Sequence, residues 1–385
     1  MLRALYANTA IRYLSLSLAS IFIPVYIFTQ AQKVYGNSII IGLYAVIIYY
    51  LLHRTTTTIF TIPAARFLTR YGFISSISIG NIALAACFVF MTLSQSNFAF
   101  IILAAFFEGI AVPYYWLAHH MAFTEGGKPK HFGRQLGLRD IFARIPAILG
   151  PLIGGIIITL FGFSSLFLIS LLGIIFSAVP FLTTRRFIHR TQKVSVKRVV
   201  DWFTQTAHRN EEVAYIGRET SALIGLIFYP IFIYIIGKQF ELIGLMVTVS
   251  MALGILSLFI TQRLQDKYNK QRFIFNVGAL GATIVWMLRP LVISFSQLFA
   301  LDIAAKITGP FFDIPFDSMI YKRSRSKSER ALTFLSAREI YIGLVYYIVL
   351  ALISVIILFD WRWVAIFSLA AVGLLISTVM WEPDD

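Results

Sequence analysis

A single cysteine, Cys87, serves a chain of 385 residues. No intramolecular disulfide can form, and no thiolate metal cluster is expected. Charge is scarce as well: Asp, Glu, Lys and Arg make up 13% of the chain, where about a quarter is usual in soluble domains. Acidic residues are the scarcest, 18 against 33 Lys and Arg, which leaves a net charge of +15. That excess does not gather on one basic face, so nucleic acid is not expected as a partner. No Gly-x4-Gly-Lys-Ser/Thr loop is present, which argues against ATP drive. His-Glu-x-x-His and Gly-x-Ser-x-Gly are absent too, and no extended soluble segment could house a catalytic domain. The chain therefore reads as no enzyme, with no cofactor and no metal site. No cleavable signal peptide is expected, because the first apolar run is long, contains Pro24 and lacks a small-residue cleavage pattern after it.

What the chain has in excess is apolar residues, 58% of the total. They fall into about twelve stretches, at 12–31, 39–62, 73–95, 98–121, 137–160, 163–183, 219–237, 241–261, 273–294, 297–319, 332–358 and 362–381. Each is long enough to cross a bilayer as a helix, which takes roughly 20 residues. Most lack the polar face of a surface helix. The expectation is an all-α integral membrane protein with twelve transmembrane helices. Lys and Arg fall in alternate gaps, with only Lys33, Lys238 and Arg362 in the others. Arg3 and Arg12 read as positive charges ahead of the first span. Positive charge stays inside, so both termini are expected to be cytoplasmic, in the cell (inner) membrane of the source. The outer gaps are very short, and Trp361 and Trp363 mark the outer start of the last span, as in an aromatic belt.

The longest gap, 185–218, divides the chain into six stretches and six. The expected domains are 1–184, a basic linker at 185–218, and 219–385. Within the linker, Val196, Val199, Val200 and Phe203 fall at helical spacing beside Lys197 and Arg198. An interfacial amphipathic helix and a plain solvated linker both fit that pattern. The halves echo one another. Arg66, Phe67, Leu68, Thr69, Arg70, Tyr71 and Gly72 follow the second stretch; Arg263, Leu264, Gln265, Asp266, Lys267 and Tyr268 follow the eighth. Arg139-Asp140 opens the fifth stretch and Arg338-Glu339 the eleventh. Two matches in register argue for internal duplication into pseudo-symmetric six-helix bundles, a pattern shared by many secondary transporters.

On these residues the chain resembles a transporter of the major facilitator superfamily over essentially its whole length. That family carries Gly-x-Leu-x-Asp-Arg-x-Gly-Arg-Arg between helices 2 and 3. Arg70 and Gly72 are kept here, while Ala65, Phe67, Thr69 and Phe73 depart from it; the second copy keeps Leu264 and Asp266, with Lys267 for Arg. Gly150, Pro151, Gly154 and Gly155 are similar to the Gly-Pro-x-x-Gly-Gly element of the superfamily's antiporters. Small residues there let helices touch, and Pro151 permits a bend. Glu108-Gly109 stands at the family's helix-4 Gln-Gly position, with Ala105 where the family has Arg. The resemblance implies two bundles that rock about a central cavity lined by helices 1, 4, 7 and 10.

Charges at membrane depth are costly, roughly 2.5–3.5 kcal/mol each on insertion scales, and point to function. On the family's map Glu108 and Lys306 face each other near the midplane, and Arg54, Arg144 and Asp313 ring the inner cavity. Glu108 is the expected proton carrier, because burial favours a neutral carboxyl and a nearby cation favours the carboxylate. A fixed structural ion pair is the other reading. Arg289 and Asp302 read as a structural pair. Arg70, Gly72, Arg139, Asp140, Asp266, Lys267, Arg338 and Glu339 form the expected cytoplasmic gate, with plain surface charge as the alternative. His119 and His120 read as interfacial, His53 as deeper. The Thr55–Thr58 hydroxyls satisfy themselves on the preceding turn.

The expected function is secondary transport of a small solute by alternating access, coupled to protons, and export rather than import. The expected partners are the solute, H+ and the lipid bilayer, with the chain acting as a monomer. Two alternatives stay open: a transport-inactive receptor or scaffold on the same fold, and a lipid or lysolipid carrier.

Overall fold

A computed structural model of the chain describes residues 2–126, 132–182, 194–203, 209–268, 271–325 and 331–380. All regular structure among them is helical. Chain order gives α1 (Leu2–Ala19), α2 (Phe22–Tyr35), α3 (Ile39–Leu93), α4 (Phe100–Gly126), α5 (Phe132–Phe176), α6 (Val179–Leu182) and α7 (Val196–Phe203). There follow α8 (Arg209–Gly237), α9 (Phe240–Tyr268), α10 (Gln271–Leu288), α11 (Phe295–Arg325), α12 (Ala331–Ile356) and α13 (Arg362–Ile376). The reason is the solvent. In hydrocarbon every backbone group must be satisfied within the segment, and an apolar helix does that alone. The outward faces are correspondingly apolar, with Ile59, Ile82, Leu160, Leu256 and Ile348 all exposed.

Nine segments among the described residues are long and apolar enough to span a membrane. Two of them carry a sharp internal break. α3 runs for 55 residues and turns at Gly72 (φ 82°), and α5 turns at Gly162 (φ 78°). At positive φ a side chain is strained, so glycine turns the chain here with almost no loop. Each break thus falls between two of the expected stretches. α11 is not among the nine, because Asp302, Lys306, Asp313 and two prolines dilute its hydropathy.

The chain forms two compact units, one of Met1–Thr204 with Glu329–Gly343 and the other of Gln205–Ser328 with Leu344–Asp385. In the first, α1 packs on α5 at the glycine element. A Cβ on Gly150 would strike Ser17, and one on Gly154 would strike the Leu18 carbonyl. Gly154 and Gly155 are buried. α1 starts ten residues ahead of the expected first stretch, and Arg12 is not a flanking surface charge. It is 3% exposed, bonds the Asn81 side-chain oxygen, and lies 3.6 Å over the Tyr115 ring. Cation–π contact and a neutral amide take the place of water there. Asn81 bonds Ser177, Asn8 accepts from Tyr115 and donates to the Ser177 carbonyl, and Thr9 meets His119. His119 is therefore a core residue and not an interfacial one. Thr55 and Thr57 bond back to Leu51 and His53, but the expectation fails at Thr58, whose hydroxyl is buried without a hydrogen-bond partner.

The linker residue Val199, on α7, and Val194 just before it are buried in this unit's apolar cluster with Leu5, Leu68, Met121 and Leu332, while Lys197 and Arg198 face outward. In the second unit α8 meets α13 where Gly217 and Gly373 approach backbone to backbone. α11 packs on α9 and α10, with the Phe275, Phe312 and Phe316 rings stacked.

Candidate functional site

Unit 1 builds its polar site where α3 crosses α4. A Cβ on Gly109 would lie about 2.5 Å from the His53 carbonyl, so only glycine permits this approach. Thr57 donates to the Gly109 carbonyl at 3.1 Å and fixes the register. One residue before Gly109, Glu108 meets Tyr49, one helical turn before His53. The Tyr49 hydroxyl donates to Glu108 Oε2 at 2.6 Å. Tyr49 is buried, and the Cys87 thiol lies 4.0 Å from its hydroxyl. Arg54 interacts electrostatically with Glu108 and is paired to Glu339 Oε2 at 3.6 Å. Both side chains of that pair are shielded, at 12% and 14% exposure. His53, just before Arg54 in sequence, is buried edge-on to Tyr50, with neither ring nitrogen hydrogen-bonded.

Unit 2 contains a half-open cavity of about 310 Å³. Three helices each turn one face to it. From α8 come Arg218, Ala222, Gly225 and Tyr229, at spacings of four, three and four. From α10 come Ala282, Val285, Trp286 and Arg289; Arg289 sits in the short 3-10 turn that ends it. From α11 come Lys306, Gly309 and Asp313, at spacings of three and four. Pro310 removes the N–H that the Lys306 carbonyl would accept, which loosens the turn that carries Lys306. The Arg289 guanidinium lies 3.6 Å over Tyr229 and 3.8 Å over Trp286. The Tyr229 hydroxyl donates to Asp302 Oδ1 at 3.0 Å. The expected direct Arg289–Asp302 pair is thus not formed: Tyr229 stands between, because stacking holds the guanidinium on the rings. At the other end Arg218 pairs with Glu219 at 3.0 Å and with Asp313 at 4.0 Å.

The expected site residues therefore divide. Glu108 and Arg54 come together in unit 1, joined by Glu339, which the sequence places in the gate. Lys306 and Asp313 line the cavity of unit 2. Arg70 is exposed beside its neighbour Tyr71, and Gly72 forms the buried turn. Arg338 is half-buried. The side chains of Arg139, Asp140, Arg144, Asp266 and Lys267 lie outside the described residues. Sequence reasoning missed Tyr49 as the partner of Glu108, and Arg218, Tyr229, Trp286 and Arg289 as cavity residues. Helical spacing of Ala282, Val285, Trp286 and Arg289 was the available signal for the last.

The family model described as Major Facilitator Superfamily matches residues 5–237. No curated protein matches the chain significantly. Solved structures do. A POT family transporter in complex with 5-aminolevulinic acid superposes with a TM-score of 0.71 at 12% identity, over 98% of this chain and 94% of that one. The POT family transporter PepTSo, from an in meso crystal structure, gives 0.71 at 10% identity, over 98% and 96%.

Proposed function

Because this chain belongs to the Major Facilitator Superfamily, we propose that it is a secondary transporter that moves a small solute by alternating access, coupled to protons and in the export direction. The likeness to the two POT transporters is one of fold, so no substrate is carried over from them. Coupling rests on one arrangement, the Tyr49–Glu108 bond next to the Arg54–Glu339 pair. A carboxyl in an apolar surround keeps its proton, and one beside a cation gives it up. Arg54 is the cation placed to make that difference. Held by Glu339 it leaves Glu108 to its tyrosine; released toward Glu108 it favours the carboxylate. A conformational change that moves Arg54 between the two carboxyls would then load and unload one proton per cycle. The export direction rests on the Gly150–Gly155 element and its resemblance to antiporters.

The test begins with a solute that raises the melting temperature of the purified chain, since a ligand of the folded form stabilises it by mass action. Its flux in proteoliposomes is then driven by an imposed pH gradient. The sign of the effective gradient gives the direction. Glu108→Gln is expected to abolish the dependence on the gradient while leaving exchange of solute measurable. Full gradient dependence in that variant removes Glu108 from coupling.

A further inference from the structure

The cavity of unit 2 has a chemistry of its own. Arg289 is 4% exposed, and its Nε is buried without a hydrogen-bond partner. Its stacking on Tyr229 and Trp286 fixes the guanidinium plane, which spares a ligand the entropy of ordering it. Lys306 lines the same space. Neither cation enters an ion pair among the described residues. Asp302 accepts from Tyr229 and is not a lining residue. Arg218, by contrast, already carries Glu219 and Asp313. The positive charge of the cavity is thus concentrated at Arg289 and Lys306.

The space in front of them is kept open by small residues. A Cβ on Gly309 would meet nothing nearer than Asp313 Oδ2 at 3.9 Å, so this position faces void. The volume, about 310 Å³, lies at the small end of ligand sites.

We infer that this cavity binds a small organic anion, through a carboxylate or phosphate group held by Arg289 and Lys306, and that such anions are the class of solute carried. The second clause rests on the transporter reading; the first does not. A guanidinium fixed in plane suits a two-oxygen acceptor, and the lysine supplies a second point charge. An uncharged solute would leave both cations unpaired at depth, a costly arrangement.

The full chain, purified in detergent, is titrated with acetate, succinate and inorganic phosphate, with glucose and choline as neutral and cationic controls. Thermal shift and calorimetry are the readouts. At least one of the three anions is expected to bind, and the controls are not. Comparison of succinate with phosphate decides which anionic group the site takes. Lys306→Met removes no partner's counter-ion and is expected to weaken binding by about tenfold or more, the loss of one charge-assisted contact. Gly309→Ala places one methyl in the void at ordinary contact distance from Asp313 and is expected to weaken binding while the unliganded melting temperature holds. Equal binding of glucose or choline, or unchanged affinity in both variants, overturns the site. Anion binding in detergent with no anion flux in proteoliposomes leaves the site and overturns the carrier reading. Flux of a neutral solute without anion binding does the reverse.

Discussion

The Arg54–Glu339 pair offers the sharpest energetic test of unit 1. Its atoms are 3.6 Å apart, and the side chains are 12% and 14% exposed. With an effective dielectric near 20, Coulomb attraction at that separation is about 4–5 kcal/mol before desolvation is subtracted. Removing one partner of a shielded pair leaves the other charge unmatched, which typically costs about 3–5 kcal/mol. Arg54→Met strands Glu339, while Tyr49 still donates to Glu108. A loss of about 3–5 kcal/mol is therefore expected for Arg54→Met. The double variant Arg54→Met, Glu339→Leu removes the stranded charge and is expected to recover at least about 2 kcal/mol of it. Denaturant titration in detergent, followed by tryptophan fluorescence, measures the unaltered chain, Arg54→Met, Glu339→Leu and the double variant. Additive losses, or a single-variant cost below about 1 kcal/mol, would show that the contact carries no energy and that Arg54 is not held by Glu339. The same double variant should lose gradient-driven flux even where stability returns, because the cation that acts on Glu108 is gone.

Other outcomes follow from single contacts. Tyr229→Phe strips the buried Asp302 of its one hydrogen-bond donor among the described residues, and a melting assay should show a loss of about 1.5–3 kcal/mol, above the roughly 0.6 kcal/mol average for interhelical bonds in membranes. Gly154→Leu drives a side chain into the Leu18 carbonyl and should lower the yield of folded protein in a size-exclusion profile, whereas leucine at lipid-facing Ile153 should not. Gly72→Ala places a side chain at φ 82°, ψ 176°, a conformation almost confined to glycine, and should cost about 1–3 kcal/mol by the same denaturant titration.

The spans were legible because a bilayer demands long apolar runs, and 58% apolar residues can hardly be arranged otherwise. The charge pattern was less safe at single residues. Arg12 reads as a flank because arginine is usually kept at the surface, yet Tyr115, more than a hundred residues later, supplies the ring that buries it. His119 misled for the same reason: its partner Thr9 lies at the other end of the bundle's sequence. Pairings of this kind depend on which helices touch, and no local spacing encodes that. Glu108 and Arg54 stood out as charges at depth, but Tyr49 was one aromatic among many until α3 and α4 were seen to meet at Gly109. Arg218 counts as a linker charge in sequence and as a cavity cation in space, since α8 begins well before the apolar stretch does. Arg289 and Asp302 read as a direct pair; that a tyrosine stands between them was not readable from one-dimensional separation.

Cys87 sits at 1% exposure against Tyr49. A maleimide or methanethiosulfonate reagent needs an accessible thiolate, and this sulfur presents none at the surface. The native chain is therefore already a near-silent background for site-directed labelling: a reporter thiol can be introduced one position at a time, at the exposed Gln95 for instance, with no prior removal of the natural one. Sidedness, distances by spin label and fluorescence quenching all become measurable on a molecule that keeps every native contact around Glu108.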